Sequence, residues 1–179
     1  MPNTLTPPAA ERSDVSIRRR GPRRKRWLAL AGFIGVSMAA GVIGSLFTQQ
    51  SVGTWYQTLS RPPLAPPSWV FAPVWTTLYA MMGTSAWLIW NRRDRPGARR
   101  LLGIFGAQLA LNTAWSGLFF GLKSPGAALV GILPLVGMIG AYTVSSWRVS
   151  RGASALFWPY LGWTSFATYL TAGYWWLNR

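Results

Sequence analysis

The sequence predicts an all-α membrane protein, a bundle of five transmembrane helices, and three observations lead to this fold class. Half of the 179 residues are hydrophobic. Charged residues are absent from five windows, which are residues 27–60, 62–91, 101–122, 124–147 and 152–178. A helix needs about 20 apolar residues to cross roughly 30 Å of hydrocarbon, and every window is at least that long. The third observation is the uneven placement of the basic residues between the windows.

The net charge of +15 is distributed as a membrane topology predicts. With the N-terminus inside, the inner segments hold all the basic residues except Arg61, Lys123 and Arg179. This asymmetry follows the positive-inside rule. The basic run at residues 18–26 also resembles a nucleic-acid-binding arm, but its position before the first window favours topology and contact with anionic lipid. We therefore expect the lipid bilayer, and no nucleic acid, as a partner.

Two alternatives to the membrane interpretation fit the windows less well. Helices at the surface of a soluble protein normally carry a polar stripe, and these windows carry no charge. A cleaved signal peptide is also a poor match, because residues 27–47 are longer than a typical apolar signal region and further windows follow. The first window is interpreted as the first span.

Residues 1–26 are predicted to form a disordered cytoplasmic tail, and residues 27–179 the transmembrane domain. The tail is rich in Pro, Ser, Thr and Arg and has little apolar surface to bury. The charge pattern indicates a multi-pass protein of a bacterial cytoplasmic membrane with a cytoplasmic N-terminus. A start rich in Arg and poor in acidic residues also fits an organellar targeting region.

The first span, about residues 27–48, contains several glycines that permit close helix packing. The outer segment at residues 49–68 is the longest connection. Four prolines between Arg61 and Pro67 hold it extended and exclude helix there. The segment is long and stiff enough to act as a lid, and the alternative is a simple linker.

The remaining spans are joined by shorter segments. Pro73 is tolerated because it lies in the first turn of the second span. A tight outer turn at residues 122–125 joins the third span to the fourth. The predicted spans after the first are about residues 69–90, 101–121, 126–147 and 153–177.

The third span has two different faces at about 100° per residue. One face is a stripe of small residues that lets another helix approach closely, within the protomer or across a dimer. The opposite face carries two amides and two aromatic rings, and buried amides need partners. This face should point to other helices or to a cavity. The small stripe is Gly103, Ala107, Ala110, Ala114, Gly117 and Gly121, and the polar-aromatic face is Gln108, Asn112, Trp115 and Phe119.

Aromatic stripes also run along the second and fifth spans, and together they predict a neutral aromatic pocket for a flat hydrophobic ligand. Ordinary bundle packing is the alternative for any single tryptophan. Tryptophans at the span ends indicate an interfacial belt. The stripes are Trp75, Tyr79 and Met82 in the second span and Tyr160, Trp163, Ala167, Leu170 and Tyr174 in the fifth; the belt is Trp87, Trp90, Trp147, Trp175 and Trp176.

Several chemistries lack the residues that they require. The chain has no cysteine and no histidine, so disulfides, the usual zinc sites and His or Cys ligation of haem are excluded, and no metal site is predicted. The three acidic residues, Glu11, Asp14 and Asp94, lie outside the spans. Proton-coupled transport commonly uses ionisable groups within the bilayer, so it is disfavoured.

Four ordered sequence blocks resemble the translocator protein family, also called the tryptophan-rich sensory proteins or peripheral-type benzodiazepine receptors. They are Trp55-Tyr56, the run from Pro66 to Tyr79, Gln108-x-x-x-Asn112-x-x-Trp115-x-x-x-Phe119-Phe120-Gly121, and Pro159-Tyr160-Leu161-Gly162-Trp163-x-x-Phe166-Ala167. The resemblance covers roughly residues 27–178.

The resemblance implies a five-helix bundle, usually a homodimer, with a pocket that opens toward the outer loop and binds porphyrins, sterols and synthetic aromatic drugs. It implies no required cofactor, and protoporphyrin is the expected ligand. Trp75 and Trp163 match the pair implicated in the family's breakdown of protoporphyrin and are the catalytic candidates. The expected ligand-binding residues are Trp69, Trp75, Tyr79, Gln108, Asn112, Trp115, Phe119, Tyr160, Trp163, Phe166 and Ala167.

Two features of the fifth span qualify the resemblance. Leu170, Tyr174 and Arg179 fit a cholesterol motif where the family carries it, but the pattern is short and common. The family usually has Leu-Asn where this chain has Leu170-Thr171, so a hydroxyl replaces an amide.

Three functions follow from these expectations. The first is a membrane receptor or regulator that binds a metal-free tetrapyrrole such as protoporphyrin, because no His or Cys is available for haem. The second is a photo-oxidative enzyme that degrades porphyrin, although no conventional catalytic constellation is visible. The third is passive transport of porphyrin or sterol, because an odd number of spans and the absence of an inverted repeat disfavour a coupled transporter.

Overall fold

The computed structural model describes residues 23–179, which form helices and turns and no strand. A 3-10 turn, Ser68–Val70, precedes the third helix, and a π-helical turn, Gly117–Gly121, extends the fourth. The helices are α1 (Arg23–Val52), α2 (Trp55–Thr58), α3 (Phe71–Trp90), α4 (Ala98–Ser116), α5 (Pro125–Val149) and α6 (Arg151–Leu177).

The five long helices coincide with the five predicted spans, and α2 is a short additional helix in the outer segment. The described residues begin at Arg23 and are already helical there, so α1 includes residues 23–26, which the sequence assigned to the tail. Arg and Lys have high helix propensity, so a helix can continue past the end of its apolar part. The rest of the predicted tail, residues 1–22, lies outside the described residues.

Two of the described helices, Lys25–Val52 and Pro125–Val149, are long and apolar enough by composition to cross a membrane. Of the other long helices, α3 and α6 carry a larger share of Trp, Tyr and Thr, and α4 has two arginines in its first turn. Composition therefore supports the membrane prediction most directly for α1 and α5.

The bundle packs α5 along α6, α1 along α3, α4 on α5 and α3 on α6. Because α1 touches α3 and α4 but makes few other contacts, much of its surface is exposed in the single chain. The largest fully buried apolar side chains of the central core are Met82, Ile89, Ile132, Leu135, Ile139, Tyr142, Phe157 and Tyr160.

The backbones of α1 and α3 approach closely at Gly83. A Cβ atom at this position would lie 2.6 Å from the Cα of Ile34 and 2.8 Å from the carbonyl oxygen of Phe33. Both neighbours are backbone atoms, so glycine is required at this crossing. The predicted close packing of the first span also uses its own glycines, because a Cβ at Gly41 would clash with the Tyr79 ring and one at Gly44 would lie 3.1 Å from Ser116 Oγ.

The stripe of small residues on α4 divides into two parts. Gly117 and Gly121 face Phe47 of α1, whose ring carbons would lie 3.9 Å and 3.1 Å from a Cβ at the respective glycine. The other four positions are exposed, and a Cβ at Gly103 would have no neighbour within 4 Å. The sequence left open whether the stripe packs within the protomer, and the structure shows that only its outer end does. The exposed part consists of Gly103, Ala107, Ala110 and Ala114.

Candidate ligand-binding site

A chain of hydrogen bonds joins α3, α4 and α6 in the middle of the bundle. The Tyr79 hydroxyl donates to Asn112 Oδ1 at 2.7 Å, and Asn112 Nδ2 donates to the Tyr160 hydroxyl at 3.0 Å. The Tyr160 hydroxyl in turn donates to Gln108 Oε1 at 3.0 Å. Gln108 Nε2 lies 3.8 Å from Met82 Sδ, a weak acceptor. We call these five residues the central network, and all of them are buried.

The central network confirms that the polar-aromatic face of α4 points to other helices. Gln108 and Asn112 are 0% and 1% exposed. An amide in an apolar medium needs partners, and both amides find tyrosine hydroxyls on neighbouring helices. Because the polar groups bond mainly to one another, the network holds the three helices in one arrangement.

The predicted aromatic residues occupy three separate groups. Trp75 packs on Tyr79 and Tyr160, with ring centroids 5.6 Å and 6.2 Å apart. Trp115 packs on Phe119 at 5.6 Å, toward the outer end of α4. Trp163 packs on Phe166 at 5.8 Å and on Phe71, a residue that the sequence did not single out, at 5.9 Å. The ring pairs form three groups, and Trp75, Trp115 and Trp163 all pack against the same core cluster.

An apolar groove of about 600 Å³ lies between α3 and α6. Of the eleven predicted ligand-binding residues only Trp163 and Phe166 line it. The other nine lie outside this lining, and among them Trp75, Tyr79 and Tyr160 pack against one another. That the stripes jointly line one ligand pocket stays a prediction. We call this feature the α3–α6 groove, and its lining is Pro73, Val74, Thr77, Leu78, Met81, Pro159, Gly162, Trp163 and Phe166.

Sequence reasoning missed most of this lining although a signal was present. The lining residues of α6 recur at helical spacing from Pro159, and those of α3 do so from Pro73. These faces are apolar and have few aromatic rings. The prediction was based on the aromatic stripes beside them and therefore did not include most of the lining.

Two indole N–H groups at the site have no hydrogen-bond partner among the described residues. They are Nε1 of Trp163, in the groove wall, and Nε1 of Trp115, and both atoms are buried. A buried tryptophan usually finds an acceptor for this N–H. The Trp163 side chain lines the groove while its Nε1 is covered, so an acceptor on a ligand would satisfy this N–H only after the indole turns toward the groove.

The outer segment lies on the outer end of the bundle, which agrees with the predicted lid. The Tyr56 ring is 5.8 Å from the Phe120 ring, and its hydroxyl lies 2.6 Å from the Tyr174 hydroxyl. Asn178 bonds to both backbone groups of Ser60, at 2.8 Å and 3.1 Å. Burial raises the pKa of Tyr56, so this phenol keeps its proton at neutral pH and can hold the contact.

The π-helical turn fixes where the outer segment leaves α1. The N–H of Leu122 bonds to the carbonyl of Gly117 at 2.8 Å, which closes the wider turn. Ser51, at the end of α1, donates its hydroxyl to the carbonyl of Phe120 at 2.6 Å. The widened turn thereby brings Phe119 and Phe120 beneath the rings of Trp55 and Tyr56.

Gly173→Ala is expected to lift the outer segment from α6. The new Cβ would lie 2.6 Å from Pro62 Cβ and 3.1 Å from its Cγ, and a proline ring cannot turn aside. Backbone amides in residues 57–65 should exchange hydrogen roughly tenfold faster, as a loss of about 1.4 kcal/mol in local stability implies. Gly162→Ala on the same helix is the control, because a Cβ there has no neighbour within 4 Å. If the backbone amides of residues 57–65 exchange at the same rate in both variants, the contact between Pro62 and Gly173 does not hold the outer segment on α6.

Several predicted residues lie away from the groove. Trp69 is 73% exposed in the 3-10 turn before α3. Ala167 packs against the central core, and its carbonyl accepts a hydrogen bond from Thr171 Oγ1 at 2.7 Å. Thr171, where the family usually has Asn, therefore satisfies its hydroxyl within its own helix.

The sterol motif does not form an exposed surface. Leu170 is 6% and Tyr174 is 2% exposed, because both pack beneath the outer segment. Arg179 instead lies over the ring of Trp176, 3.5 Å from its centroid. A sterol at the lipid-facing surface could not reach the two buried members while the outer segment is seated.

Comparisons with known proteins agree with the sequence blocks. Residues 33–177 match the model of the TspO/MBR family. The chain is 39% identical over 156 residues to the translocator protein of Ovis aries, covering 86% of this chain and 92% of that protein. It is 42% identical over 150 residues to the tryptophan-rich protein TspO of Chlorobaculum tepidum, covering 82% and 93%. It is also 32% identical over 142 residues to a tryptophan-rich sensory protein of Cereibacter sphaeroides, covering 79% and 86%.

Proposed function

Because the chain belongs to the TspO/MBR family of membrane proteins, we propose that it is a membrane receptor or regulator that binds a metal-free tetrapyrrole of the protoporphyrin class. The α3–α6 groove is the proposed binding site. The name of one relative, tryptophan-rich sensory protein, agrees with a role in sensing. Sterols and aromatic drugs are flat and apolar too, and they would compete for the same groove.

The proposed arrangement in the membrane has all five long helices as spans. In support of this arrangement, the described basic side chains at the start of α1, around the α3–α4 turn and around the α5–α6 junction share one end of the bundle. At this end Arg92 bonds to Ser150, and Trp87 bonds to the carbonyl of Arg26. By the positive-inside rule this end is cytoplasmic, as expected in a bacterial cytoplasmic membrane. The exposed small stripe of α4 permits close approach of a second copy, so a homodimer is part of the proposal.

The observation that carries the ligand proposal is the indole of Trp163 in the groove wall with an unpaired N–H. A groove of about 600 Å³ is within the size range of small-molecule sites. Its lining is apolar apart from Thr77, whose hydroxyl bonds to the carbonyl of Pro73. The lining has no ionisable side chain, which suits the uncharged tetrapyrrole ring, and the two carboxylates of protoporphyrin would lie outside the groove. The indole N–H of Trp163 offers one donor to an acceptor on the ring once the indole turns toward it.

Trp163→Ala is expected to weaken protoporphyrin binding by about tenfold, because stacking on an indole contributes on the order of 1 kcal/mol and its apolar area is lost as well. Trp163→Phe keeps an aromatic ring and loses the N–H, so its affinity for protoporphyrin should lie between those of Trp163→Ala and the wild type. Saturable quenching of tryptophan fluorescence in detergent measures the affinity.

The matched control is Trp158→Phe, because Trp158 lies on the same helix and is 55% exposed. It should bind protoporphyrin as the wild type does. Binding that is not saturable in the wild type, or an affinity unchanged in Trp163→Ala, would refute the proposal.

A further inference from the structure

Basic side chains are concentrated at one end of the bundle, which we call the basic end. The opposite end has Arg61, Lys123 and Arg179. Tryptophans lie beside the arginines at the basic end, and cation–π pairs join Arg93 to Trp90 at 4.5 Å and Arg151 to Trp147 at 5.5 Å. The described basic side chains at this end are Lys25, Arg26, Arg92, Arg93, Arg95, Arg99, Arg100, Arg148 and Arg151.

Two of these arginines hold the turn between α3 and α4 in place. Arg92 Nη1 donates to Ser150 Oγ at 3.0 Å, and Arg95 Nη1 donates to the carbonyl of Val149 at 3.0 Å. Both acceptors lie at the junction of α5 and α6. The turn is therefore tied to the α5–α6 junction, so the neighbouring arginines project from a fixed backbone.

A polar cavity of about 440 Å³ lies on this turn. Arg93, Arg99 and Arg100 are exposed around it, and Asp94 is the one carboxylate in its lining. Arg93 is further held by a bond from Nη1 to the carbonyl of Trp90 at 3.4 Å. Four positive charges against one negative charge give the cavity a strong preference for anions. Its lining is Arg93, Asp94, Arg95, Pro96, Gly97, Arg99 and Arg100.

The start of α4 adds to this positive potential. No side chain caps Gly97, which has a φ of +83°, and the first turn holds no acidic residue. Arg99 and Arg100 stand there instead, next to the positive end of the helix dipole. Arginines in this position repel that end of the helix, and an anion in the cavity would offset the repulsion.

We propose that this cavity, the α3–α4 phosphate site, binds the phosphate of an anionic phospholipid such as phosphatidylglycerol. Arginine matches phosphate geometry with paired donors. A lipid is favoured over a free phosphate because the cavity lies beside Trp90, at the end of an apolar helix where interfacial tryptophans are expected. The proposal rests on the membrane arrangement proposed above and is independent of tetrapyrrole binding.

The test compares the full chain with Arg99→Gln/Arg100→Gln, using native mass spectrometry to count bound lipid and thermal unfolding in detergent to measure stabilisation. The probes are phosphatidylglycerol, phosphatidylcholine and glycerol 3-phosphate. The wild type should retain phosphatidylglycerol and be stabilised by it, with little effect of the other two. The double variant should bind phosphatidylglycerol about 25-fold more weakly, or about fivefold for each arginine.

The control is Arg148→Gln/Arg151→Gln, which removes the same charge from exposed positions at the same end. It should stay within about twofold of the wild type. If both double variants lose the same affinity for phosphatidylglycerol, the lipid is attracted by the overall charge of the basic end and the proposed site is wrong. If the wild type retains phosphatidylcholine as well as it retains phosphatidylglycerol, the site does not select lipids by charge and the proposal is wrong too. Stabilisation by glycerol 3-phosphate equal to that by the lipid would assign a soluble phosphate and overturn the lipid proposal. Protoporphyrin binding should be unchanged, so failure here leaves the tetrapyrrole proposal intact.

Discussion

Gly83→Val is expected to lower the free energy of unfolding by about 3 kcal/mol, the upper end of the usual range for overpacking. The new side chain would meet the backbone of α1 at Ile34, where a Cβ alone comes within 2.6 Å of Cα and 2.8 Å of the nitrogen. Backbone atoms cannot rotate away as a side chain can. The two helices must therefore separate along their whole contact, and the variant should unfold at lower denaturant concentration in detergent micelles.

Gly137→Val is the matched control for this variant. Gly137 lies within α5, and a Cβ there would have no neighbour within 4 Å. It carries the same change in helix propensity without the clash, so its stability should stay within about 1 kcal/mol of the wild type. If both valine variants lose the same stability, helix propensity explains the effect and the close crossing of α1 and α3 does not.

Tyr160→Phe is expected to cost about 2 kcal/mol although it removes a single oxygen atom. That hydroxyl accepts from Asn112 and donates to Gln108, both at 3.0 Å, and these two amides are buried. Hydrogen bonds between membrane helices are worth roughly 0.6–1.7 kcal/mol each, and here two groups lose a partner together. Thermal unfolding in detergent should show a lower midpoint.

The comparison for this prediction is Tyr169→Phe, the same chemical change on the same helix. The Tyr169 hydroxyl bonds to the carbonyl of Pro63 at 3.1 Å, and the residue is 44% exposed, so water can replace the bond. Its stability should change by less than about 0.5 kcal/mol. A Tyr160→Phe protein as stable as Tyr169→Phe would mean that the central network does not hold the three helices together.

The α4 side of the central network could be predicted from the sequence, because one helix has a fixed angular spacing. Gln108 and Asn112 are four residues apart, so they share a face. Their partners could not be predicted in the same way. Tyr160 lies 48 residues from Asn112 along the chain, and only the packing of α6 against α4 brings the two together.

For the outer segment, too, the sequence predicted the local backbone conformation but not the contacts with residues far away in the chain. Its prolines predict an extended stretch, and the structure has no helix between Leu59 and Pro67. The residue that meets Tyr56, however, is Tyr174, 118 positions away. The sterol motif has the same limit, since a short pattern cannot reveal that Leu170 and Tyr174 are covered by another segment.

The five long helices of residues 23–179 could be predicted from the sequence to within a few residues, as could the grouping of charge between them, because both depend on composition over about 20 consecutive residues. Helical spacing also predicted which side chains share a face. The packing of the aromatic stripes on one another, and the lining of the groove mainly by the apolar face beside them, became visible in the three-dimensional structure alone. The rotation of α3 and α6 about their axes sets this outcome, and it depends on close-packed contacts among all the helices at once, which no single stretch of sequence contains.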